Sequence, residues 1–478
     1  MAVSEDTFFL DARFEGTLQS QIQQMVAEGI LSGRFRPAEK LPSSRRLAKH
    51  LGVSRITVTL AYTELLANDF LRSAGRSGYY VSETAPRPPE FTERQQTGDA
   101  VDWNRAIGQR FKEGSVLTKP ADWRSYRYPF IYGQADPELF DIKSWRLCAL
   151  QTLGLREFES LTADLGDRDD PKLVEFISRH ILPRRGIVAK PSEILITLGA
   201  QNGLWLAAQV LLTQRRTAAF ETPCYPSLRS ILSHSRCIMA PVPVDGGGLP
   251  PDQIPSEADV VFVTPSHQCP TNATMPIDRR RALLQKAQDE DILIVEDDYE
   301  FELSFLKAPH PALKSLDQSG RVIYAGSVSK SLFPGLRLGF LVGAEPFIEE
   351  ARALRSEVLR HPPGHIQRTT AQFLSLGHYD AHIRKMREVF HKRRTVMADA
   401  RRDFGLTAAR GAAFGGSCFW MEAPEGVDTQ VLAQSLADDG VLIEPGGPFF
   451  GDDGPRNCFR LAYSSIPASR IQEGIRLL

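Results

Sequence analysis

The sequence predicts an α/β chain in three parts. A winged helix-turn-helix head covers residues 12–83, a linker covers 84–125, and a doubly wound, mostly parallel sheet domain with a small C-terminal α+β portion covers 126–478. Three observations carry this reading. At 478 residues the chain is too long for one ordinary core. Its N-terminal stretch holds three short helical patterns followed by a glycine-bounded hairpin. Beyond a polar, proline-rich stretch, continuous apolar runs alternate with long amphipathic ones.

In the head, Leu18, Ile22, Met25, Val26 and Ile30 recur at helical spacing and stop at Gly33. A second helix begins after Pro42-Ser43-Ser44 and carries Leu47, Ala48 and Leu51 up to Gly52. A third follows Ser54, a good N-cap, with Val58, Ala61, Tyr62, Leu65 and Leu66 on one face. Two short strands flank Gly75-Arg76-Ser77-Gly78. In the linker, Thr84-Ala-Pro-Arg-Pro-Pro-Glu is semi-extended where the prolines cluster. Further on, Ile194-Leu-Ile-Thr, Val260-Val-Phe-Val-Thr, Ile292-Leu-Ile-Val and Val322-Ile-Tyr-Ala are continuous enough to be buried parallel strands.

Composition narrows the function. A hydrophobic content of 42% and charged content of 24% are those of a globular protein, and no run approaches the roughly 18 apolar residues of a membrane helix. The first residues, Met-Ala-Val-Ser-Glu-Asp, are acidic where a signal peptide is basic, so a cytoplasmic location with no membrane partner is expected. Six scattered cysteines without a Cys-x-x-Cys pair argue against a disulfide framework and against a metal site.

The net charge of -1 leaves any nucleic-acid surface to be local. It is local: Arg34, Arg36, Lys40, Arg45, Arg46, Lys49 and Arg55 face the single acid Glu39 in that stretch. A helix in the major groove of duplex DNA needs short polar residues and an arginine at its N-terminal end. Ser54, Arg55 and Thr57 stand there, Ser43 and Arg45 are placed to hold phosphates, and Arg76 on the wing is placed to reach the backbone or minor groove. The alternative is a three-helix module that binds protein.

In the large domain, Gly326-Ser-Val-Ser-Lys-Ser-Leu-Phe-Pro-Gly-Leu-Arg337 sets Lys330 between small hydroxylic residues, seven places before Arg337. An amine that condenses with an aldehyde cofactor needs such a setting: Ser327 and Ser329 to donate to a phosphate, Arg337 to neutralise it, Lys330 to form the Schiff base. A polar turn before a strand is the plainer alternative. Glu296-Asp297-Asp298-Tyr299 closes a buried strand, where a carboxylate can pair with a protonated pyridine nitrogen, bind a metal or cap a helix. Thr197-Leu-Gly-Ala-Gln-Asn-Gly203 follows a strand and opens a helix, so its backbone N–H groups suit a phosphate. Tyr225 offers a ring to stack on a cofactor or simply a core side chain. Arg460, in the apolar Asn457-Cys-Phe-Arg-Leu-Ala462, needs an anion, either a ligand's acid group or an internal partner.

The head resembles the GntR family of bacterial transcription regulators through Leu41-Pro-Ser-Ser-Arg45 and Gly52-Val-Ser-Arg-Ile-Thr-Val58. The rest resembles the fold type I aminotransferases, and the whole chain resembles the MocR (GabR-like) regulator subfamily. That resemblance implies pyridoxal 5'-phosphate (PLP) held as a Schiff base on Lys330, with Asp297 on the pyridine nitrogen and Tyr299 on the ring hydroxyl. Gly199, Ala200, Gln201, Ser327, Ser329 and Arg337 would hold the phosphate, and Arg460 the acid group of an amino-compound effector. It also implies a double-stranded DNA operator, a head-to-tail homodimer, and sensing by external aldimine formation at Lys330 rather than turnover, with a half-reaction as residual chemistry. The alternatives are a working aminotransferase with an accessory DNA-binding head, and a sensor of the PLP vitamer itself. Three departures from the family pattern stand out, one being that Leu165-Gly-Asp-Arg-Asp-Asp-Pro171 lacks the usual tyrosine-and-glycine pattern. Asn272 occupies a turn position where glycine is usual, and Cys269 stands where aminotransferases carry an asparagine.

Overall fold

In the computed structural model the described residues are 2–86, 101–109, 111, 119–134, 136, 138–154, 158, 161–408, 415–451 and 454–478. Much of the expected linker, and the side chain of Arg76, lie outside them. The chain divides into two compact units, Met1–Gln109 and Arg110–Leu478.

The head is built from α1 (Leu18–Leu31), α2 (Ser44–Leu51), α3 (Arg55–Ala67) and the antiparallel pair β1 (Leu71–Ser73) and β2 (Tyr79–Val81). Each helix starts on a hydroxyl that accepts a hydrogen bond from an otherwise orphaned backbone N–H: Thr17 from Ser20, Ser43 from Arg46, Ser54 from Thr57. Gly52, at φ 66°, closes α2 in the left-handed conformation that costs glycine least. Ile22, Val26, Ile30, Leu47, Val58, Tyr62, Leu65, Leu71 and Val81 form the core of this unit. Within 84–125, expected to be irregular, Trp103–Ala106 makes one helical turn, because Asp102 Oδ1 accepts from the N–H groups of Asn104 and Arg105.

The large unit contains β3 (Tyr128–Pro129), β4 (Ile194–Thr197), β5 (Thr217–Thr222), β6 (Ile238–Pro243), β7 (Ala258–Val263), β8 (Leu293–Asp298), β9 (Val322–Ser327) and β10 (Gly339–Val342). It ends with β11 (Cys418–Glu422), β12 (Val441–Leu442), β13 (Glu444–Pro445) and β14 (Cys458–Ala462). The main sheet has seven strands in the order β4-β10-β9-β8-β7-β5-β6. All neighbours are parallel except β10, which is antiparallel to both β4 and β9. The strand at Ile194, expected among parallel neighbours, therefore pairs with an antiparallel one. The reason lies in the connection: residues 328–338 are too few for the crossover a parallel pair requires, so β10 returns alongside β9 in the opposite sense. Apolar clusters cover both faces of the sheet. The small C-terminal part carries the sheet β11-β14-β13, and β12 pairs in parallel with β3.

The parallel strands β5, β7, β8 and β9 end on the same edge. Residues 223–225, 264–269, 297–299 and 327–330 leave the sheet together there, the place where open α/β sheets bind ligands.

Candidate functional site

At that edge lies a cavity of about 490 Å³. Its walls hold every cofactor and effector residue singled out in the sequence: Gly199, Ala200, Gln201, Tyr225, Asp297, Tyr299, Ser327, Ser329, Lys330, Arg337 and Arg460. They come from four strand ends, one helix N-terminus and the small C-terminal sheet. The cavity also takes in Lys119, Tyr132, Cys269 and Glu444.

The acidic run on β8 divides its work among its members. Glu296 accepts from the backbone N–H of Leu313 and of Lys314, both at 2.8 Å, and so caps the helical turn Leu313–Leu316. Asp298 accepts from Arg185 Nε at 2.6 Å and from the Tyr324 hydroxyl at 3.0 Å. Between them Asp297 faces the cavity, and its Oδ1 is buried without a hydrogen-bond partner. Burial, with the negative charges of Asp298 and Glu221, pushes its carboxyl up to about 7. A buried carboxylate in this state lacks a cation.

Lys330 is pushed down to about 8 by burial, against the pull of nearby Glu300. Its Nζ stands 4.2 Å from the centroid of the Tyr132 ring. Across the cavity, the helix Ala200–Leu211 begins at Gly199 (φ 83°) with no side chain capping it, leaving its first N–H groups open. Gly339 brings β10 against this turn: a Cβ there would lie 2.8 Å from Gly199 C and 2.9 Å from Ala200 N. Arg337, itself in the left-handed region at φ 51°, bonds Leu198 O at 3.3 Å. These N–H groups, the Ser327 hydroxyl and Arg337 form a polar, cationic corner.

Three of these residues also make hydrogen bonds within the protein. The Ser329 hydroxyl donates to Leu338 O and accepts from Leu338 N, both at 3.0 Å, so it holds the turn before β10. The Tyr299 hydroxyl donates to His267 O at 2.9 Å. The Tyr225 hydroxyl donates to Gln201 Oε1 at 3.1 Å. Asn272 does adopt positive φ (59°), and its amide donates to Cys418 O at 2.9 Å.

At the other end of the cavity, Arg460 is both internally paired and open. Its Nε donates to Glu444 Oε2 at 2.8 Å, and its guanidinium lies 4.1 Å from the Tyr132 ring centroid. Glu444 also accepts from Tyr132 N at 3.1 Å, and its Oε1 stands 3.4 Å from Lys119 Nζ. Against the cost of burial, Arg460 and Lys119 hold the Glu444 carboxyl below its ordinary range. Sequence reasoning named Arg460 and missed the rest of this end. Its one signal was an acid inside the apolar run Val441-Leu-Ile-Glu-Pro; Lys119 gave none, because it falls in the stretch read as linker.

On the head, Ser43, Arg45, Ser54 and Arg55 are exposed near the N-termini of α2 and α3, with Thr57 partly so. Ser54 and Thr57 share a hydroxyl contact of 2.8 Å, and Arg55 Nε donates to Ser44 Oγ at 3.4 Å. The outward face of α3 was also missed. Ile56 and Leu60 are exposed there, while the hydroxyls of Thr59 and Thr63 turn back onto the carbonyls of Arg55 and Thr59. That face presents methyl groups, with Arg55 at its N-terminal end.

A winged helix-turn-helix joined to a fold type I aminotransferase-like body defines the class: an HTH-type transcriptional regulator with an aminotransferase-like domain. Comparison with known proteins agrees. Residues 18–81 match the bacterial regulatory proteins of the gntR family, and residues 140–478 match aminotransferase class I and II, a PLP-dependent family. The HTH-type transcriptional regulator TauR of Rhodobacter capsulatus is 56% identical, over 99% of this chain and 98% of its own length. The probable rhizopine catabolism regulatory protein MocR of Rhizobium meliloti is 30% identical, over 98% of this chain and 94% of its own. Among solved structures, LysN, the α-aminoadipate aminotransferase of Thermus thermophilus complexed with N-(5'-phosphopyridoxyl)-L-leucine, superposes with a TM-score of 0.68 and 27% identity, covering 79% of this chain and 97% of that one. The chain belongs to the MocR (GabR-like) subfamily of GntR regulators.

Among the described residues, no helix is long and apolar enough to cross a membrane.

Proposed function

We propose that this regulator holds PLP in the 490 Å³ cavity and uses it to sense a small amine that carries an acid group. The observation that carries the reading is Asp297. Its buried, unpartnered Oδ1 shares a cavity with an accessible lysine and a cationic, N–H-lined corner. A protonated ring nitrogen, an aldehyde and a phosphate answer those three features in turn.

When bound, PLP supplies an aldehyde carbon that exchanges primary amines and a visible absorption band that reports the exchange. The chain does the rest. Asp297 keeps the ring nitrogen protonated, and the open turn at Gly199, Ala200 and Gln201 takes the phosphate with Ser327 and Arg337. Ser329 acts there mainly by holding the turn before β10. Tyr225 and Tyr299 border the ring. Arg460, oriented by Glu444, turns its terminal nitrogens to the effector's acid group, and Lys119 adds a second positive charge. An effector that makes these contacts in only one arrangement of the large unit shifts the equilibrium between arrangements.

The heads, residues 12–83, read a double-stranded operator through α3 and the wing, with 84–125 as the linker and 126–478 as the sensing unit. Subfamily membership supports a cytoplasmic, head-to-tail homodimer.

Lys330→Ala tests the reading. Operator binding should persist while the response to amines and the visible band disappear; an unchanged response to amines would refute it. The same assay separates the alternatives. Sustained keto-acid release from amino donors would mark a working aminotransferase, and an operator response to PLP alone would mark a vitamer sensor.

A further inference from the structure

Lys330 borders two cavities. One is the large cavity described above. The other is a chamber of about 40 Å³ whose wall includes Lys330, Glu300, Ser417, Ser464 and His382. Glu300 is buried, at 3% exposure. Its Oε1 accepts from the Ser417 hydroxyl at 2.6 Å and from the Tyr132 hydroxyl at 3.2 Å. Its Oε2 is buried with no hydrogen-bond partner, and so is Ser464 Oγ. Tyr132 ties the two sides together, because the ring that bonds Glu300 through its hydroxyl carries Lys330 Nζ over its face.

The chain also makes room for the amine. Gly133 has φ +69°, and a Cβ there would lie 2.6 Å from Lys330 Nζ. A chamber of this size, with orphaned polar atoms on residues of its wall, has room for one or a few waters, each needing about two to four polar partners. Glu300 Oε2, Ser464 Oγ and Lys330 Nζ are such partners.

We propose that Glu300 is the proton store of Lys330, exchanging a proton with the amine through water held in this chamber. In the free chain the Lys330 ammonium gives one proton to the Glu300 carboxylate and the reverse step returns it; during exchange the incoming ammonium gives its proton to the Glu300 carboxylate, which passes it on to the departing Lys330 amine, so the proton count is unchanged. The store matters because an amine entering as an ammonium ion must shed a proton before its nitrogen can attack, and a released lysine must regain one. Burial moves the two groups toward each other, with the Glu300 carboxyl pushed up and the Lys330 amine pushed down to about 8. The other ionisable groups facing Lys330 are Lys119, Arg460, Cys269, Asp297 and Tyr132. Around Glu300 and the chamber stand Ser417, Tyr132, Arg460, His382, and Asp136 paired with Arg393.

The test has two readouts on the full-length protein. In the cofactor-free chain, trace labelling by fluorodinitrobenzene, quantified at Lys330 by mass spectrometry across pH, gives the amine's titration midpoint. It should lie near about 8 in the native chain. Glu300→Gln removes the opposing negative charge, so the midpoint should fall by about one unit or more. Ser464→Val, which fills the chamber and keeps Glu300, should leave the midpoint in place.

In the PLP-loaded chain, exchange with methylamine as the probe, followed by stopped-flow absorbance, should slow at least about tenfold in both variants. The Glu300→Gln amine would thus be more available and yet exchange more slowly, a combination a merely structural role does not produce. An unmoved midpoint in Glu300→Gln, or exchange at the native rate in either variant, would overturn the proposal. This inference rests on the PLP reading only for its second readout: failure to load PLP would count against that reading, while the labelling midpoint tests Glu300 without any cofactor.

Discussion

Arg460 Nε donates to Glu444 Oε2 at 2.8 Å, and both side chains are buried on the wall of the same cavity. The pair holds the guanidinium by one edge, over the Tyr132 and Phe449 rings, and leaves its terminal nitrogens without hydrogen-bond partners among the described residues. A buried arginine with its own counter-ion is usually finished business. Here the counter-ion works as a mount.

Cutting this pair from one side should be costly. Arg460→Met leaves Glu444 buried with Lys119 at 3.4 Å as its one nearby cation among the described residues, beside the N–H of Tyr132, so the large unit should lose about 3–5 kcal/mol of stability. Denaturant titration of the full chain reads this as an earlier transition. The double variant Arg460→Met with Glu444→Gln should recover most of the loss while still failing to respond to acid-bearing amines.

Asp297 predicts a pH dependence for the cofactor-free protein. Its carboxyl titrates near about 7 when folded and near 3.8 when unfolded, so between those values the folded state binds the extra proton. Stability should therefore fall as pH rises from about 4 to about 7, with Asp297 contributing on the order of 4 kcal/mol. Asp297→Asn should flatten that part of the denaturation-midpoint profile. Adding PLP to the native chain should flatten it too, by supplying the missing cation.

Gly339→Ala isolates the packing behind the candidate phosphate corner. The added methyl would meet backbone atoms of Gly199, Ala200 and Gly326 at 2.8–2.9 Å, and no flexible side-chain end is available to yield. The outcome expected is a loss of about 1–3 kcal/mol and weaker PLP retention on gel filtration, with operator binding by the head intact.

The head offers a contrast between Arg45 and Ile56. Arg45→Ala should weaken operator and random duplexes alike and reduce the salt slope of binding by about one. Ile56→Ala, which removes an exposed apolar group from α3, should leave the salt slope alone. It should cost about 1–3 kcal/mol on the operator only, if the methyl-rich face reads thymine methyl groups. Titrations at several salt concentrations distinguish the two.

Local features were legible because their causes are local. The caps Thr17, Ser43 and Ser54 and the stop at Gly52 act within one helical turn, so short motifs announce them. The lysine turn, the acidic strand end and the glycine turn each sit within a few residues of a strand end. Strand topology was less accessible: the antiparallel return of β10 follows from the length of one connection rather than from any hydrophobic pattern.

The sequence by itself pointed to the winged head and the α/β body, to the regulator subfamily, and to many of the side chains that line the large cavity, though not to Lys119, Tyr132 or Glu444. Only the tertiary structure decided what each does there. Glu296, Asp297 and Asp298 are three adjacent acids, yet one caps a helical turn, one meets an arginine and one is left facing the cavity: strand alternation turns Asp297 to the opposite face, and the other two meet different partners further along the strand. Tyr132 and Glu444 are 312 positions apart, and Glu300 and Ser417 are 117 apart. No local pattern encodes such pairs. They exist because the crossovers and the small C-terminal sheet converge on one strand edge, where burial turns isolated charges into a mount for one arginine and a neighbour for one lysine.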